Sequence, residues 1–111
     1  STFFDEAAPA NDEAASFIKG FKEYLVSIGE PDIIPAVSAL GYDAYLCLLQ
    51  AIKDADSTDP AAVRDALENV SVTGVTGDIT FNETGDANKS LAFIKTIKDG
   101  QFQFLTTTTL E

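Results

Sequence analysis

The twenty residues Ala36–Ala55 constrain this chain more than any other stretch. They read as one helix, and Leu40, Tyr42, Ala44, Tyr45, Leu46, Cys47, Leu48, Leu49, Ala51 and Ile52 surround most of its axis. A helix apolar on so many sides is expected to be buried on several of them. Gly41 costs about 1 kcal/mol against alanine inside a helix, which makes sense if another backbone packs close there. Asp43 is the oddest polar group, set within an apolar run. It reads as a hydrogen-bonded or edge-exposed carboxylate, with a contact near a hinge or cleft as the functional alternative. Tyr42 and Tyr45 read as core rather than as ligand stackers, given the area aromatic rings bury. Cys47 reads as a structural thiol, since no basic neighbour is evident to activate it.

What can surround such a helix is bounded by size. With 111 residues, 45% hydrophobic and 23% charged, the chain has ordinary globular composition and room for one modest core. Its formal charge of -11 repels phosphate backbones and anionic lipid, so neither nucleic acid nor an anionic membrane surface is an expected partner. There is no histidine, which excludes Ser-His-Asp and Cys-His catalytic sets. One cysteine permits no intrachain disulfide. The absence of methionine leads us to expect a processed or truncated start, and Leu110-Glu111 reads as a cloning scar. No signal peptide or run of membrane-spanning length is present, although a secretion signal lost with the N-terminus would leave the same picture.

Around the central helix the pattern is clear. Residues 1–4 read as the tail of a strand and residues 5–10 as a loop. A first helix is expected over residues 11–28, capped by Asn11, with Ala14, Phe17, Ile18, Phe21, Leu25 and Ile28 on its buried face and Gly29 as a left-handed stop. Asp59 and Pro60 open a third helix over residues 60–69 that buries Val63, Ala66, Leu67 and Val70. From Ser71 onward glycine, threonine and β-branched residues take over. A strand is expected over residues 78–81, a turn over 82–86, a longer strand over 90–98, a type I′ turn at Asp99-Gly100 and a return strand over 101–105 with Phe102 and Phe104 on one face. Thr106 to Thr109 reads as a frayed tail. Leu91-Ala92-Phe93-Ile94 is apolar on both faces, whereas Lys95-Thr96-Ile97-Lys98 is half-polar. That change fits a strand leaving one packed unit for another.

Chemistry-bearing clusters are sparse. Asp5, Glu6, Asp12 and Glu13 are read as helix-start acids rather than as a cation site. Asn82, Asp86 and Asn88 depart from the EF-hand spacing and read as a turn. Nothing brings two carboxylates together as an acid/base pair, so an enzyme is not expected, and neither a metal nor a cofactor is.

Several segments, taken in order, resemble one family. Ala39-Leu40-Gly41-Tyr42-Asp43-Ala44-Tyr45 is similar to a helix start in Leu/Ile/Val-type substrate-binding proteins of ABC importers. Asp59-Pro60-Ala61-Ala62-Val63-Arg64-Asp65-Ala66-Leu67 resembles the family's short capped helix, and the run from Gly74 to Asp86 its strand and turn. Ile97-Lys98-Asp99-Gly100-Gln101-Phe102 resembles its final hairpin. The resemblance implies an α/β chain that is the C-terminal part of a type I periplasmic-binding-protein fold, with two doubly wound lobes and three helices followed here by a strand and a hairpin. Residues 6–92 would belong mainly to one lobe, and residues 93–109 would form a hinge strand and hairpin of the other. The implied parent captures branched-chain or similar small amino acids, periplasmic or extracellular and in some forms lipid-anchored, and hands them to an ABC permease. A ligand-sensing domain of the same fold in a receptor or regulator is the alternative. Val37 and Ser38 would lie at the pocket edge, with valine smaller than the side chain often found there. A truncated sheet would also expose edges that invite self-association.

Overall fold

The computed structural model describes residues 2–110; the expectations at Ser1 and Glu111 lie outside the described residues. Three helices, α1 (Asp12–Ser27), α2 (Ala36–Ala55) and α3 (Pro60–Leu67), precede five strands: β1 (Val72–Gly74), β2 (Gly77–Phe81), β3 (Ala87–Asn88), β4 (Leu91–Lys98) and β5 (Gln101–Thr109). β1, β2 and β3 form one antiparallel sheet; β4 and β5 form another. This mixed α/β architecture agrees with the sequence-based class.

Local chemistry sets the helix ends. Asn11 caps α1, its side-chain oxygen accepting from the Ala14 N–H at 2.8 Å. At the far end Gly29 takes φ 78, while the Gly29 and Glu30 N–H groups donate to the Val26 and Leu25 carbonyls, a Schellman stop. The Asp59 carboxylate accepts from the Ala62 N–H at 3.1 Å, with Pro60 in the first helical position. α3 ends at Leu67, two residues short of the expected limit.

The core lies where α1 meets the start of α2. Phe4, Ala14, Ile34, Ala39 and Val75 are buried together, and Phe17, Ile18, Phe21 and Leu25 pack against them. Ile28, expected on this face, is exposed, because it sits at the helix cap beyond the last contact with the core. α2 departs further from expectation. Its buried residues are Ala39, Asp43, Cys47 and Ala51, one narrow stripe at four-residue spacing; Ala39 joins the core beside α1, and α2 also packs on α3 and β1. Val37, Leu40, Tyr42, Tyr45 and Leu48 are exposed, so burial on several sides is not achieved within the described residues. Tyr42 and Tyr45 are accordingly not core, although the Tyr42 ring lies 4.8 Å from that of Phe17. Nor does any backbone approach Gly41: a Cβ there would meet nothing within 4 Å.

Two short strands, β1 and β3, were not anticipated. β1 pairs with β2 from Val72↔Ile79 to Gly74↔Gly77, leaving Val75 and Thr76 as a buried two-residue turn. β4 and β5 join through Asp99 and Gly100, both at positive φ as a type I′ turn requires. The run Thr106 to Thr109 is not frayed: it pairs with Ile94 back to Leu91, past a register shift between Ile94 and Lys95. Threonine suits a pleated strand, and the partner's ladder satisfies its backbone. Residue 2 contributes one antiparallel bridge, to Phe93.

Candidate functional site

The start of α2 carries both residues expected at a pocket edge. Val37 lies in the first helical turn and is 72% exposed. Ser38, half-buried, lines an open groove of about 570 Å³ between α1 and α2, together with Phe17, Phe21, Tyr24 and Tyr42. Val37 does not line this groove. Phe17 stacks on Phe21 with centroids 5.3 Å apart, so the groove floor is aromatic.

Just over one helical turn beyond lies Asp43, whose oddity is visible in the sequence and whose partners are not. The carboxylate is 2% exposed. Its Oδ1 accepts from the Val75 N–H at 2.7 Å, and its Oδ2 accepts from the Thr76 N–H at 2.8 Å and from the Thr76 hydroxyl. Three donors on one buried carboxylate satisfy its lone pairs without a direct ion pair. This is the hydrogen-bonded reading of Asp43. The donors come from the β1–β2 turn, more than thirty positions downstream, which no local signal reveals. A Cβ at Gly74 would overlap the Asp43 carboxylate, so glycine is needed beside it. Asn11 adds a second tie, its amide donating to the Gly74 carbonyl at 3.0 Å.

Lys89 completes the cluster. Its ammonium donates to the Thr76 hydroxyl oxygen, and it lies 5.9 Å from the Phe3 ring centroid. Burial pushes the Lys89 amine down from its ordinary range, and the negative charge of the Asp43 carboxylate opposes that shift. Cys47 is buried, and its thiol is pushed up by burial first and by Asp43 second; Lys89 opposes. A basic neighbour therefore does exist, but burial outweighs it and disfavours the thiolate, the form a reactive cysteine needs.

The acids near the N-terminus split into two kinds. Asp12 and Glu13 occupy the first turn of α1, as expected of helix-start acids. Asp5 and Glu6 instead make ion pairs, Asp5 with Lys95 at 3.0 Å and Glu6 with Lys22 at 3.2 Å; Glu6 also accepts from the Ile34 N–H. In the residue 82–86 turn, Asn82 accepts from the Thr84 and Asp86 N–H groups, an ordinary side-chain-braced turn. Among the described residues no group of three or more His, Cys, Asp or Glu converges as metal ligands would.

Sequence comparison gives the class. A family model described as periplasmic binding protein matches residues 1–101, and the chain belongs to that family. It is a family of extracytoplasmic binding proteins, not defined by catalysis. Among solved structures, the chain is similar to the leucine binding protein LivK from Thermotoga maritima, with 32% sequence identity and a TM-score of 0.75. The match covers 96% of this chain and 29% of that one, so the chain spans under a third of the LivK structure. No curated protein matches. No helix among the described residues is long and apolar enough to cross a membrane.

Proposed function

We propose that this chain is the C-terminal segment of a two-lobed solute-binding protein that captures leucine or a similar branched-chain amino acid outside the cytoplasm and presents it to an ABC permease. The observation that carries this reading is the likeness to the leucine binding protein LivK along 96% of the chain, in fold and at 32% identity. Ligand would bind between lobes, and closure would shift the population from open to closed forms with no bond made or broken. Residues 6–92 form mainly one lobe in this reading, and residues 93–109 belong to the other. The burial gradient along β4 supports that division: Ala92 and Phe93 are buried, Ile97 and Lys98 exposed. Val37 and Ser38 edge the pocket from the start of α2. A lipid anchor on the parent would keep it near the permease.

Isothermal titration with leucine, isoleucine and valine tests this reading. The intact parent should bind at least one of them, with micromolar or tighter affinity on the scale typical of small-ligand sites. The 111-residue chain alone should show no heat of binding, because the open groove beside Ser38 buries little of a ligand. A parent indifferent to all three amino acids removes the amino-acid assignment.

A further inference from the structure

We propose that Lys89 is a positioning residue: its ammonium, acting through the Thr76 hydroxyl, ties the start of β4 to the Asp43 carboxylate on α2 and so sets where the β4–β5 sheet leaves the helical body. The placement of Lys89 is the first ground. β3 ends at Asn88 and belongs to the β1–β2–β3 sheet; β4 begins at Leu91 and belongs to the other sheet. Lys89 therefore lies in the two-residue crossing from one sheet to the next.

The polarity of the bridge is the second ground. An ammonium has three donors and no acceptor, so the Thr76 oxygen must accept from it. The single hydroxyl proton of Thr76 is then free to point at Asp43, whose Oδ2 accepts it. Each bond polarises the other, which strengthens a chain of this kind. The two backbone N–H bonds from Val75 and Thr76 already hold the turn on Asp43. The hydroxyl is thus the group that extends the anchor to the crossing. Lys89 is also half-buried, over the Phe3 ring, and its amine is depressed by that burial; a freely solvated surface lysine would show neither. Further along, the Thr2 bridge to Phe93 and the Asp5–Lys95 ion pair hold the middle of β4 to the N-terminal segment; in the crossing, the Ser90 carbonyl accepts from the Leu110 N–H just past β5, and the tie to the α2 anchor is that of Lys89. If β4 is the strand between lobes, a point that rests on the function proposed above, the same tie sets the root of the hinge.

Amide hydrogen exchange on the 111-residue chain tests the tie directly, apart from any ligand. Lys89→Met and Thr76→Val each remove one half of the bridge and leave both backbone bonds to Asp43 in place. Each should speed exchange of the β4 amides about tenfold by local opening, with α1 amides unchanged. The double variant should be no faster than either single one, because both cut the same bridge. Lys89→Arg and Thr76→Ser should restore the wild-type rate. Unchanged β4 exchange, additive effects, or parallel acceleration in α1 and β4 would each overturn the proposal. Leucine binding by the parent stands apart from this readout, so loss of the transport reading and loss of the tie are distinguishable.

Discussion

Asp43 and Gly74 act as one unit. The carboxylate fills the space a side chain at residue 74 would need, and its oxygens accept from the next two residues of the turn. Asp43→Asn places an amide NH₂ where an acceptor is required, against the N–H donors of the turn. It should cost about 2–3 kcal/mol, the penalty for stranding buried polar groups. Gly74→Ala should cost about 2 kcal/mol through overpacking. Asp43→Ala vacates that space, so adding Gly74→Ala to it should cost at least about 1 kcal/mol less than adding it to the wild type. Urea unfolding followed by circular dichroism measures all of these. Simple additivity would show that the two residues do not share the space.

Helices were the legible part of this molecule, because a helix announces itself through neighbours three and four apart, and its caps are local. The bounds of α2, the Asn11 and Asp59 caps, the Gly29 stop and the Asp99-Gly100 turn were all readable for that reason. β1 and β3, three and two residues long, carry too little alternation to be seen, and they exist through pairing with β2. The oddity of Asp43 was visible, but its partners in the turn and Lys89 were not, since long-range hydrogen bonds leave no local periodicity. Asn11 joins the local and long-range kinds, and this gives a graded expectation. Asn11→Asp keeps the cap bond from Ala14 but loses the donation to the Gly74 carbonyl, which should cost about 1 kcal/mol. Asn11→Ala loses both and should cost about 2 kcal/mol. Thermal unfolding should rank wild type above Asn11→Asp above Asn11→Ala; equal losses for the two variants would show that the cross-chain bond contributes nothing.

At the scale of the whole molecule, the shape and the surface argue together. The radius of gyration is 15.7 Å, and the extents are 49 × 38 × 21 Å. A compact chain of this length would have a radius of about 13 Å. The described residues are therefore spread into a slab rather than closed around one core. The apolar side chains that a closed shape would hide remain outside: Val37, Leu40, Tyr45 and Leu48 form a stripe at helical spacing on α2, and Phe102 is 76% exposed on β5. Exposed apolar surface of this kind favours association. The formal charge of -11 opposes it, since each copy repels the next. Which wins depends on salt. At about 0.01 M ionic strength the screening length is about 30 Å, longer than the slab is thick; at about 1 M it falls to about 3 Å and repulsion between copies is largely removed. The isolated chain should therefore sediment closer to a monomer at low salt and shift toward larger species as salt rises, the reverse of an assembly held by ion pairs. Tyr45→Lys combined with Leu48→Lys breaks the stripe and should reduce the high-salt shift, because a desolvated lysine costs more than the lowered net charge gains. Sedimentation velocity across that salt range decides the matter. A wild-type chain that stays monomeric throughout, or a double variant that associates as strongly, would mean that the exposed face of α2 is not adhesive.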